Sequence, residues 1–100
     1  MSQQTYLYLI RPTRPDFSPE GMTPQEQRLM GEHWVYLQGL FAEGRLLLTG
    51  PCTDGAFGIA IFEAGSLEEA RQVAANDPAV QGGIMRVEVH PYRVSLLRRS

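Results

Sequence analysis

Between Tyr6 and Ile10 every side chain is aromatic or aliphatic. As a strand over residues 5–11, this stretch sends Tyr6, Tyr8 and Ile10 one way and Leu7 and Leu9 the other. Both faces must then be covered by protein. A sheet with one side in water does not satisfy that demand. At 100 residues the chain makes one domain, with room for a single core. The remaining elements therefore have to supply one covering layer, and something outside the chain the other.

Pro12, Pro15 and Pro19 force a loop through to Met22. Thr23-Pro24-Gln25-Glu26 opens a helix, with Thr23 as cap, Pro24 at the first turn and Glu26 closing a capping box. Its apolar stripe reads Leu29, Met30, Trp34, Leu37, Leu40, Phe41, and Gly44 ends it in a left-handed conformation. A strand over 45–49 stops at Gly50-Pro51. Asp54-Gly55 signals a hairpin into a strand over 56–63, where Phe57, Ile59 and Ile61 share a face. Ser66-Leu67-Glu68-Glu69 is a second capping box. It opens a helix to about Asn76 with Leu67, Ala70, Val73 and Ala74 inward. Asp77-Pro78 interrupts that helix and Gly82-Gly83 ends the connection. A last strand over 84–94 turns Met85, Val87 and Val89 against Arg86, Glu88 and His90.

The order is β-α-β-β-α-β, the ferredoxin-like pattern of the α+β class. Right-handed crossovers place both helices on one face of a four-stranded antiparallel sheet. The other face stays open, although either the tyrosines or Leu7 and Leu9 must point there. An open apolar face on so small a domain predicts self-association, a two-fold dimer packed sheet to sheet or a higher assembly built on it.

Composition narrows the chemistry. All nine basic residues are arginine, so lysine bases and lysine-held cofactors are excluded. The single Cys52 cannot form an internal disulfide or hold a structural zinc ion. His33 and His90 lack metal-ligand spacing, and neither nucleotide-binding nor haem-attachment motifs occur, so no metal and no cofactor is expected. A net charge of -2 argues against nucleic acid, and the Arg98-Arg99 end reads as a solvated tail. No apolar run reaches membrane-spanning length, and residues 1–6 do not resemble a secretory signal; a cytoplasmic protein with no membrane partner is expected.

His33 falls among Met30, Trp34, Leu37 and Phe41 on the helical wheel, where an imidazole must be desolvated or paired. One backbone hydrogen bond in a core would also satisfy it. Asp77 continues the inward stripe of the second helix at an end where the helix dipole disfavours an acid. It also suits the cap of a short turn after Pro78. The two helices lie side by side, so these residues can meet. A His–Asp pair fixes the tautomer and frees the outer nitrogen for general acid–base work. Gly50, Pro51, Arg11 and Tyr8 are secondary candidates for a substrate pocket, each with a structural alternative. Cys52 reads as a small buried thiol and His90 as surface or dimer rim.

His33, the run Glu43-Gly44-Arg45-Leu46-Leu47-Leu48-Thr49-Gly50-Pro51, Gly58-Ile59, Ser66-Leu67-Glu68-Glu69-Ala70, Asn76-Asp77-Pro78 and Gly82-Gly83 occur in that order. The arrangement resembles the YciI-like (YCII-related) family over about residues 5–94. The resemblance implies a dimeric α+β barrel, similar to the muconolactone isomerase and small monooxygenase barrels. It also implies a His–Asp active site, matched here by His33 and Asp77. One branch of that family removes chloride from a chlorinated hydroxyhydroquinone, while most members have no assigned reaction. The long 13–22 loop departs from the short members. Three readings follow. One is a cofactor-free lyase or isomerase acting on a small molecule; the second is a non-catalytic module that binds a small ligand. The third, a monooxygenase or haem-handling barrel, rests on fold analogy alone.

Overall fold

The computed structural model describes residues 4–98; Arg99, half of the expected basic tail, lies outside them. Chain order is β1 (Gln4–Pro12), α1 (Pro24–Ala42), β2 (Leu46–Pro51), β3 (Gly58–Ala64), α2 (Leu67–Ala75), a one-turn α3 (Pro78–Gln81) and β4 (Met85–Pro91). The sheet is antiparallel in the order β2-β3-β1-β4, the ferredoxin-like arrangement expected from the element order.

Register decides which residues of β1 face the helices. Tyr8 pairs with Ala60 on one side and Val89 on the other, and Ile10 pairs with Gly58 and Val87. Directly paired residues share a face. Tyr6, Tyr8, Ile10, Ala60, Phe62, Ala64 and Met85 are all buried, together with Leu37, Leu40, Ala70, Val73 and Ala74 of the helices. The tyrosines thus belong to the core. Tyr8 meets Phe62 edge-on, with centroids 6.1 Å apart at 86°. Each such fully buried ring contributes about 1.5–3 kcal/mol. Leu7 and Leu9 share the opposite face with Ile59, Ile61, Arg86, Glu88 and His90. On that face Ile61 is buried and Leu7, Leu9 and Ile59 are half-buried, so the apolar stripe is shallower than expected from an uncovered sheet.

Local signals place the helices. Thr23 accepts from the Glu26 amide while Glu26 accepts from the Thr23 amide, a complete capping box. Glu26 also holds Arg14 through two contacts of 2.8 and 2.7 Å, and Arg14 donates to the Gly21 carbonyl. This pins the 13–22 loop to the start of α1. At α2 only half the box forms: Ser66 accepts from Glu69, but the Glu69 carboxylate receives the Gly65 amide, one residue earlier.

Several expectations need correction. The α1 stripe is Glu26, Leu29, His33, Leu37 and Leu40, whereas Trp34 and Phe41 are 55% and 64% exposed. Each lies one residue past a position of that stripe, about 100° around the helix and clear of the sheet. β4 stops at Pro91, after which the Tyr92 amide still bonds to the Thr5 carbonyl of β1. β2 carries a register shift between Leu46 and Leu48 and runs on through Gly50-Pro51. The β2–β3 turn is wider than a two-residue hairpin: Cys52 bonds to Phe57 across it, and Gly55 takes the positive φ of 80°.

Gly44 has φ 79°, and a β-carbon there would meet nothing within 4 Å. Backbone conformation alone is therefore tested by Gly44→Ala, which should cost about 1 kcal/mol. Denaturant unfolding checks this: the midpoint should fall while the slope stays constant.

Candidate active site

Asp77 is the centre of the site and is fully buried. Its backbone is extended (φ -63°, ψ 127°), it caps α3, and its Oδ1 accepts from the Ala79 amide at 2.8 Å. Pro78 follows at the first helical position, where a missing N–H costs nothing. The cap and the pairing with an imidazole are both realised, one on each carboxylate oxygen. Oδ2 lies 2.6 Å from His33 Nδ1 and also receives the Tyr8 hydroxyl. Three elements thus send donors to one carboxylate: α1 through His33, β1 through Tyr8 and α3 through its own backbone.

Close packing brings α1 and α3 together. A β-carbon at Gly82 would sit 2.5 Å from Leu29 Cδ1 and 3.1 Å from the Pro78 carbonyl. Glycine is what lets the end of α3 settle against α1 one turn from His33. Gly83 then takes φ 78° and turns the chain into β4.

Burial pushes the Asp77 carboxyl up to about 6, with the Ala79 amide pulling the other way. Burial lowers the His33 imidazole below its usual 6.5. At neutral pH the pair is therefore a carboxylate beside a neutral ring. An ionised carboxylate can only accept, so Nδ1 carries the proton and Nε2 the lone pair. Among the described residues no buried side-chain nitrogen or oxygen lacks a hydrogen-bond partner. Nδ1 is the His33 nitrogen that is bonded, and the ring keeps about a tenth of its side-chain surface in solvent. Nε2 is thus the edge of the ring that reaches the surface, a proton acceptor of fixed orientation.

Of the four secondary candidates, Tyr8 reaches this centre, whereas Arg11, Gly50 and Pro51 do not. Tyr8 is 1% exposed and spends its hydroxyl on Asp77, so it supports the dyad and does not line an open pocket. Arg11 is on the opposite face of the sheet, 5.5 Å over the Phe57 ring and 3.6 Å from Glu88. Gly50 pairs with Ile59 on that same face; Pro51 pairs with Gly58 at the end of the edge strand. Gly50 is thus on the far side of the sheet from His33 and Asp77. Two grooves lie at the surface. One, between α1 and α3, is lined by Arg28, Gly31, Glu32, Val35, Tyr36 and Pro78. It flanks the dyad through Glu32 and Pro78, the chain neighbours of His33 and Asp77. The other involves Leu9, Arg11, Arg86, Val87 and Glu88. Cys52 is half-buried in the β2–β3 turn. His90 sits exposed, 3.2 Å from Glu88. Among the described residues, no group of three acidic, histidine or cysteine side chains could hold a metal ion.

The contact missed by sequence reasoning is Tyr8 to Asp77. Its signal was a pair of tyrosines, Tyr6 and Tyr8, on the inward face of the strand, where a buried hydroxyl must find an acceptor.

A YCII-related domain matches residues 5–93. The chain belongs to the YCII-related domain family. It is 34% identical over 68 residues to the uncharacterized protein YjpA of Bacillus subtilis (strain 168), covering 68% of this chain and 80% of the relative. Among solved structures it is similar to 5-chloro-2-hydroxyhydroquinone dehydrochlorinase (TftG) from Burkholderia phenoliruptrix AC1100, in complex with 2,5-dihydroxybenzoquinone. That likeness has a TM-score of 0.60 at 21% identity and covers 88% of this chain and 93% of the other. At that identity it establishes the shared fold. No helix among the described residues is long and apolar enough to cross a membrane.

The pair has opposed effects on pH stability. Asp77 is raised, so its stabilising contribution is complete below 3.8 and fades as pH climbs to about 6. His33 is lowered, so its contribution is complete above 6.5 and fades as pH falls through the folded-state value. Between 3.8 and 6.5 the two act in opposite directions. Asp77→Asn removes the first and leaves the second. The variant should lose stability more steeply than the parent as pH falls below 6.5, read from denaturant midpoints on either side of that pH.

Proposed function

We propose that this protein is a cofactor-free enzyme of lyase or isomerase type, acting on a small molecule through His33 and Asp77. The 2.6 Å contact between His33 Nδ1 and a fully buried carboxylate carries this reading. It leaves Nε2 as a base whose tautomer and direction are set before any substrate arrives. In an elimination, Nε2 takes a proton from carbon or hydroxyl, the freed electron pair forms the new double bond, and chloride or another anion departs. In an isomerisation the same proton returns at a different atom. The imidazolium formed in either case faces Asp77, which stabilises it and turns the ring. The dehydrochlorinase with the similar fold acts on a hydroxylated aromatic ring. Small hydroxylated aromatics and lactones are therefore the compounds to offer first. The reading places the reaction in the cytoplasm, where a lone thiol such as Cys52 stays reduced.

Such compounds should be assayed for anion release and for deuterium uptake from solvent. His33→Ala should lower turnover by about 10²–10⁴-fold, the usual contribution of a positioned base. A variant that kept full activity would remove His33 from the mechanism. If no compound is turned over and His33→Gln changes only affinity, the site binds a ligand without transforming it.

We further propose that the working form is a two-fold dimer through the sheet face bearing Leu7, Leu9, Ile59 and Ile61, whose apolar side chains support the reading. Sedimentation at micromolar concentration should give a dimer, and Leu9→Arg should shift it toward monomer. A parent protein that sediments as a monomer would overturn the assembly.

A further inference from the structure

The Tyr8 hydroxyl and the His33 ring share one oxygen of Asp77, while the other is taken by a backbone amide. A structural cap needs only the last of these. A packing tyrosine needs only some acceptor, and many carbonyls would serve. Here the hydroxyl is placed on the one atom that also orients the imidazole. We propose that Tyr8 is a positioning residue: its O–H holds Asp77 in the carboxylate form, and so sets the pH at which His33 becomes an oriented, proton-accepting ring. The proposal rests on His33 as the proton acceptor, but its first measurement needs no substrate.

The physical argument is a balance. Complete burial favours the neutral acid. Hydrogen bonds donated to the ionised oxygens favour the carboxylate, and bonds to a charged acceptor are about twice as strong as neutral ones. Ala79 supplies one such bond whatever happens at position 8. Without the Tyr8 hydroxyl the carboxylate keeps its burial and loses a donor, so the pair takes up its shared proton at higher pH. Tyr8 is itself clamped, 1% exposed and edge-on to Phe62, so the hydroxyl has little freedom to turn away.

The surrounding charges leave this balance to the three residues. On α1, Glu26 is neutralised by Arg14. Arg28 and Glu32 of α1 pair with each other at the surface, and Tyr36 donates to the Val73 carbonyl. On β1, Tyr6 donates to Gln4. The α2 residues Glu68 and Arg71 are exposed, and Glu69 pairs with Arg45. α3 carries no ionisable side chain. Arg86, Glu88 and His90 of β4 point to the opposite face of the sheet.

The test is the titration of the two histidine rings by NMR in the parent and in Tyr8→Phe, which keeps the ring against Phe62. The His33 midpoint should rise by about one pH unit, the worth of a charge-assisted hydrogen bond. Exposed His90 serves as the internal reference. If the His33 midpoint stays put or falls, Tyr8 only packs and the proposal is overturned. Should Tyr8→Phe fail to fold, uniform 3-fluorotyrosine labelling decides. A more acidic hydroxyl is a stronger donor, so the midpoint should fall, and an unchanged midpoint overturns the proposal. Loss of the catalytic reading would look different: His33→Ala would keep turnover while the midpoint still followed Tyr8.

Discussion

One buried carboxylate ties this fold together. Asp77 sits where α2 ends, and its side chain is reached by the first strand, by the long helix and by the backbone of the next turn. An ionised acid at zero exposure is tolerated only when its lone pairs are met by donors. That requirement fixes several things at once. β1 must present a tyrosine to the helix side, α1 must turn its histidine inward, and α3 must begin directly after the acid. Gly82 completes the arrangement by permitting the approach of α3 to Leu29.

Sheet register carries the same logic outward. With Tyr8 committed to the helix layer, alternation sends Leu7, Leu9 and Arg11 to the other face. The two faces then acquire different characters. One holds the dyad beneath two helices. The other is a half-buried aliphatic stripe edged by Arg11, Arg86, Glu88 and His90. The acid–base chemistry proposed for one face and the self-association proposed for the other would be separated by the sheet, and Arg11 could not serve both.

Much of this was legible in the chain because the informative signals are local. The capping box at Thr23, the Ser66 cap, the positive-φ Gly44 and the Asp77-Pro78 cap each involve residues within a few positions of one another. The strand alternation likewise determines faces without tertiary knowledge. His33 and Asp77 could be brought together because two crossovers of fixed hand put their helices on one side. What escaped is non-local or depends on small rotations. The Tyr8–Asp77 bond spans 69 residues. Trp34 and Phe41 lie only about 100° beyond the true stripe, a rotation that a hydrophobicity pattern does not resolve. The register shift near Leu46 and the end of β4 at Pro91 depend on how the neighbouring strand is paired, and no spacing in their own sequence records that.

Stability alone does not account for the polar centre. Replacing a buried ionic network with well-packed apolar residues of similar volume is often neutral or favourable, whereas removing one member costs about 3–5 kcal/mol. An aliphatic trio in place of Tyr8, His33 and Asp77 would therefore hold the same helices to the same sheet. It would not produce a neutral imidazole with Nδ1 committed and Nε2 facing outward. The acid is buried enough to want its proton and donor-rich enough to give it up near neutrality. Those opposing demands meet on Oδ2, the atom shared by the ring and the phenol.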